Sequence, residues 1–224
     1  MRVALRETFI LRITPMVPTA LARGDLVGAR RWADETVSRT TGWHLMMAHA
    51  ERARVAIAQD EADLAERDAH EALVIGTDIE SILATPDALE CLAQLAATAD
   101  RQRAARLFGA AHAIRERSGI ARFQIYQAGY ETTLADIRNM VGDKEFDTTW
   151  AEGSALSTEE AISYAQRGRG ERKRPASGWA ALTPTEHDAI RLVGEGLSNK
   201  GIGARLSRTA ALVAESMVSP QTSS

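Results

Sequence analysis

Scarcity says much about this chain of 224 residues. It has one cysteine, Cys91, so neither an internal disulfide nor a cysteine metal cluster can form within it. Cys91 lies in an apolar run beside Leu89, Leu92 and Leu95 and reads as a small buried hydrophobe. Aromatic residues make up only 5% and prolines number six. With abundant alanine, the strongest helix former, that mixture favours an all-helical protein. No apolar stretch approaches the ~20 residues of a membrane span. Arg2, Arg6 and Arg12 interrupt the short apolar runs at the N-terminus, against a signal-peptide pattern. A cytoplasmic protein without membrane association is expected.

Motifs that carry chemistry are missing too. The sequence contains no G-x-x-x-x-G-K-[ST] phosphate loop, no G-x-S-x-G and no H-E-x-x-H. His44 and His49 are five apart, off a common helical face, which disfavours a zinc pair, and His70, His112 and His187 stand alone. The aspartates and glutamates read as scattered over exposed helical faces, where a charge is simply solvated. The expectation is no enzyme activity, no catalytic residue, no metal and no cofactor.

What is present is a hydrophobic content of 45%, enough for a core, and 25% charged residues, ordinary for a soluble chain. The net charge of −3 is unevenly spread. From Arg167 to Arg208 there are nine Lys/Arg against four Asp/Glu, so the rest of the chain is acidic. A basic C-terminal part on an acidic body fits a DNA-facing module on a protein-facing scaffold.

Residues 1–115 show three helical stretches with small residues on one face: Ala29, Ala33 and Thr36; Ala65, Ala69 and Ala72; Ala104, Phe108 and Ala111. The i, i+4, i+7 spacing puts each trio on one side of a helix, where two helices can approach closely. A partner helix precedes each trio, over roughly 15–23, 43–58 and 87–97. Pro15 and Pro18 should break the first of these. The trios start 36 and 39 residues apart, close to the ~34-residue tetratricopeptide (TPR) period. The pattern resembles a degenerate TPR-like antiparallel array, which would offer a surface to a protein partner. An unrelated antiparallel helical bundle remains the alternative, and both are all-α.

Residues 116–166 read as a helical extension of the array. Gly119 and Gly142 should end helices, Gly153 should end a short one containing Phe146 and Trp150, and Ser157-Thr158-Glu159-Glu160 should cap a last one to about Ala165. Trp150 and Tyr164 read as core plugs. Residues 104–165 also resemble the segment preceding the DNA-binding domain in large actinobacterial LuxR-type regulators with a nucleotide-binding or cyclase module at the front.

Residues 167–178, RGRGERKRPASG, form a basic linker whose glycines, proline and like charges oppose a packed core. Its Arg172, Lys173 and Arg174 could neutralise DNA phosphates without reading sequence. Residues 179–206 then contain LTPTEHDAIRLVGEGLSNKGIGARL. Thr183 suits an N-cap, Pro184 the first helical position, and Glu186 completes a capping box. Gly194 and Gly196 break the helix, and Ser198 can cap a second one carrying Ile202, Ala204 and Leu206. The whole string resembles the opening of the LuxR-type helix-turn-helix. That resemblance implies a DNA-binding regulator, with Lys200, Arg205 and Arg208 beside the backbone.

The resemblance stops at Leu206. The family continues with V-S-x-x-T-V and a polar recognition helix. Here the tail, 207–224, reads SRTAALVAESMVSPQTSS. Base readout needs side chains on an element inside the groove, so the helix-turn-helix is incomplete and DNA contact is expected to be weak or non-specific. The alternative reading is a TPR-like protein-interaction module without DNA specificity.

Overall fold

Small residues decide how the helices of this protein meet. The computed structural model describes residues 15–167, which belong to a unit ending at Arg167. Of the described residues 81% are helical and none is in a strand. The chain is all-α there, as its composition and periodicity imply.

Three helical hairpins follow one another. α1 (Met16–Ala22) pairs with α2 (Leu26–Arg39), α3 (Trp43–Ala58) with α4 (Ala62–Asp78), and α5 (Thr85–Ala96) with α6 (Arg101–Ser118). The first helices of successive hairpins also touch, α1 on α3 and α3 on α5. A 3₁₀ turn (Gln124–Tyr126) then leads into α7 (Gln127–Val141), α8 (Asp143–Ser154) and α9 (Thr158–Arg167).

The interfaces are built on the predicted trios. Ala29, Ala33, Ala65, Ala69, Ala104 and Ala111 are fully buried and Ala72 and Phe108 nearly so, while Thr36 is half-buried and donates its hydroxyl to the Trp32 carbonyl. Alanine has little side-chain entropy to lose and lets backbones close in. The larger side chains Met46, Leu73, Leu89, Leu107 and Ile114 fill the spaces between. Cys91 is buried on α5, and burial pushes its thiol up to about 12, so it stays protonated and inert.

Helix ends follow local chemistry. Asp25 accepts from the Gly28 N–H at 2.8 Å, and Asp100 accepts from the Arg103 N–H at 2.9 Å. Gly119 ends α6 in the left-handed region at φ +70°, which favours glycine. Ser157 and Glu160 form a reciprocal capping box: the Glu160 N–H donates to Ser157 Oγ at 3.1 Å and the Ser157 N–H to Glu160 Oε2 at 2.8 Å.

One sequence expectation is corrected here, and a second shifts by one residue. Pro15 and Pro18 do not break the first helix. Pro15 sits at the N-cap of α1 and Pro18 in its first turn, where the missing N–H would have had no intrahelical partner. Gly153 is the penultimate residue of α8, one short of its end, and it lies against α6. A Cβ there would stand 2.0 Å from the Arg106 carbonyl oxygen, and one on Gly109 would stand 2.4 Å from that of Trp150. The two glycines let α6 and α8 cross backbone to backbone. Trp150 and Tyr164 are partly buried and pack against the main core, as plugs should.

Candidate functional site

The DNA-contact candidates Arg172, Lys173, Arg174, Lys200, Arg205 and Arg208 lie outside the described residues, as do the cap candidates Thr183, Glu186 and Ser198. Within the described residues, charge gathers in the helical hairpins themselves. Asp87 and Glu90, three apart on α5, face the same side of that helix and are buried. For these two the expectation of a solvated surface charge is corrected, while most of the other described acids are exposed or partly so. Asp87 and Glu90 are taken out of water because arginines from three directions meet them.

Arg54 of α3 donates through Nη2 to Asp87 Oδ1 and, at 3.0 Å, to Glu90 Oε2. Arg115 of α6 donates through Nε to Glu90 at 2.9 Å and through Nη2 to Asp87 at 3.0 Å. Arg122, in the segment after α6, reaches Glu90 at 2.7 Å through Nη2 and also donates to Gln127 at 2.9 Å. Two aromatic rings cover the guanidiniums. Arg54 lies 4.1 Å from the Tyr126 ring centre and Arg122 lies 3.5 Å from that of Tyr130. Tyr130 in turn meets Phe108 edge to face, with centroids 5.5 Å apart. Burial alone would push the Glu90 carboxyl up. Hydrogen bonds from Arg122 and Arg115, with the charges of Arg54 and Arg115, override it and hold the group at about 2.

Glu51 behaves in the opposite way. It is half-buried on α3, with its carboxyl turned inward to accept from the Tyr126 hydroxyl at 2.6 Å. Burial pushes that carboxyl up to about 7, and the Tyr126 hydrogen bond and the charge of Arg54 only partly oppose the rise. A second buried acid, Asp68 on α4, ties α3 to α4. It accepts from Arg52 at 2.6 and 2.8 Å and pairs with His49 Nδ1 at 2.9 Å. His49 is thus held by Asp68, while His44 stacks on Trp43 with ring centroids 3.6 Å apart. No group of three or more His, Cys, Asp or Glu able to hold a metal occurs among the described residues.

Two cavities border the Tyr126–Glu51 contact. One, of about 570 Å³, is bounded by α1, α3, α5 and α7, with Arg54, Glu90, Tyr126 and Tyr130 at its polar end and Leu26, Ile57, Phe108 and Ile125 along its apolar wall. The other, of about 220 Å³, is mainly apolar, with Glu51 in its lining and the exposed rings of Trp43 and Phe123 beside it. Sequence reasoning missed the whole cluster. The available signal was Asp87 and Glu90 among Pro86, Ala88, Leu89, Cys91 and Leu92, too apolar a setting for a solvated face.

Comparison with known proteins gives two kinds of result. Proteins named HTH-type transcriptional regulators from Mycobacterium bovis (strain ATCC BAA-935 / AF2122/97) and from Mycobacterium tuberculosis (strains CDC 1551 / Oshkosh and ATCC 25618 / H37Rv) are similar to this chain. Each is 53% identical over 192 residues, 85% of this chain and 22% of its own length. The chain therefore spans about a fifth of the length of the curated relatives it matches. No protein-family model matches the chain, and no solved structure matches it.

Proposed function

We propose that this chain is part of a LuxR-type transcriptional regulator and that it meets duplex DNA through the backbone, without reading sequence. The observation that carries this reading is the conjunction of two independent ones. The relatives at 53% identity are named HTH-type transcriptional regulators, and residues 182–206 of this chain resemble the opening of a LuxR-type helix-turn-helix. In this reading residues 1–115 are TPR-like repeats and 116–166 extend them. Residues 167–178 are a basic tether, 179–206 a partial helix-turn-helix, and 207–224 a divergent tail. The chain works in the cytoplasm. No helix among the described residues is long and apolar enough to cross a membrane.

The tail explains the loss of specificity. Base edges are read by polar side chains in the major groove, while phosphate contacts fix position only. Residues 209–218 supply mainly Ala, Leu and Val, with Glu215 as their sole charge, and a carboxylate is repelled by the DNA backbone. Lys200, Arg205 and Arg208, with Arg172, Lys173 and Arg174, supply cations for phosphates. Binding of this kind has a Kd of roughly 10⁻⁴ to 10⁻⁶ M and weakens steeply with salt.

The experiment is a fluorescence titration against one duplex at two salt concentrations, with wild type and a triple Arg172→Ala, Lys173→Ala, Arg174→Ala variant. Each lost phosphate contact should reduce the slope of log K against log salt by about 0.9. An unchanged slope would remove the linker from the interface.

A second reading, a TPR-like protein-interaction module without DNA specificity, is favoured by one specific observation. The rings of Trp43 and Phe123, about half exposed, border an apolar cavity. Aromatic side chains of this kind are enriched at protein interfaces.

A further inference from the structure

The ionic cluster is unbalanced. Three guanidiniums, of Arg54, Arg115 and Arg122, meet two carboxylates, of Asp87 and Glu90. Glu51, the next acid, lies beyond Tyr126 and is neutral below its raised pKa of about 7. Buried charge demands compensation, so a spare positive charge at a cavity wall is a place for an anion.

Arg54 is where that charge is available. Its side chain is only 11% exposed, yet it lines the 570 Å³ cavity. Nη2 serves both carboxylates, while Nε and Nη1 make no hydrogen bond to any described residue. Arg115 and Arg122 each also donate to a further oxygen, of Ile120 and Gln127 respectively. Glu90 shares the wall but already accepts from three arginines, so it does not compete for the cation. The remaining wall is mainly apolar, with Gln94 and Thr133 as its uncharged polar members beside the two tyrosines, and the volume lies within the ~300–1,000 Å³ usual for small-molecule sites.

We propose that this cavity binds an amphipathic monocarboxylate, its anionic end on the free nitrogens of Arg54 and its hydrocarbon end along Leu26, Ile57, Phe108 and Ile125. A guanidinium suits a carboxylate because its N–H groups form a planar fork matching the two oxygens. The hydrocarbon end gains by leaving water. The segment from the 3₁₀ turn through α7 contributes Ile125, Tyr126 and Tyr130 to the wall, and it runs between Gly119 and Gly142, both at positive φ. The site is independent of DNA contact, since none of its lining residues is a candidate for meeting phosphates.

The test uses the whole 224-residue chain and decanoate as probe. Decanol and decyltrimethylammonium serve as length-matched neutral and cationic probes, at constant ionic strength and about pH 6, where a carboxylic acid is ionised. Calorimetric titration should show saturable decanoate binding at least about tenfold tighter than either control. Ala58→Phe adds an apolar ring at the cavity's edge, one turn of α3 beyond Arg54, while keeping every charged group, and should weaken decanoate about tenfold or more. Arg54→Gln should erase the preference for carboxylate over alcohol. If that variant loses its helical circular dichroism, Ala58→Phe decides alone. Equal binding of the three probes, decanoate binding untouched by Ala58→Phe, or no saturable decanoate binding would each overturn the proposal.

Discussion

Glu51 and Glu90 are the same residue type in neighbouring helices, with opposite fates. Glu90 is held at about 2 by its arginines. Its contribution to stability is present above the ordinary carboxylate value of 4.5 and is lost as pH falls towards 2. Glu51 is raised to about 7, so its contribution is full below 4.5 and is lost as pH rises through 7. Urea unfolding of wild type and Glu51→Gln should therefore diverge between those two values. Wild type should lose stability relative to the variant as pH rises, and parallel profiles would show that Glu51 is solvated. Glu90→Gln leaves Arg122 without its acid and Arg54 and Arg115 with Asp87 alone, and should cost about 3–5 kcal/mol. A loss below about 1 kcal/mol would mean that water reaches the cluster.

Among the elements, the close crossing of α6 and α8 is the most demanding. Gly153→Ala places a methyl group against the Arg106 carbonyl, where only backbone movement can relieve it. A loss of about 1–3 kcal/mol is expected from such overpacking, read by thermal or urea unfolding. Ser157→Ala should cost about 1 kcal/mol at the start of α9, seen as faster amide exchange in its first turn.

Much of this level was legible beforehand. The spacing of Ala29 and Ala33, of Ala65, Ala69 and Ala72, and of Ala104, Phe108 and Ala111 marks the buried faces, because periodicity reports which side of a helix avoids water. The residues of the capping box 157–160 stand next to each other in the chain, so they too were readable. Gly153 was not, because a glycine that ends a helix and one that admits a neighbouring helix look alike without the neighbour. The Asp87–Glu90 cluster was hidden for the same reason. Its partners Arg54, Arg115 and Arg122 lie 25 to 36 residues away, and no local pattern joins them.

At the scale of the whole molecule, the array organises its charge in two ways. Inside it, three arginines meet two acids and fasten α3, α5 and α6 together, with one positive charge left over. Beyond Arg167 the sequence turns basic, with few acids to offset it, and in the proposed function that excess meets the phosphates of DNA. In that function the contact carries no sequence information. The direct measurement is selection of the 224-residue chain against a library of random duplexes at physiological salt, with sequencing of the bound pool after several rounds. DNA should be recovered without an enriched motif, and binding should be lost steeply as salt is raised. Enrichment of one motif, bound at nanomolar affinity at that salt, would contradict this expectation and show that residues 207–224 read bases.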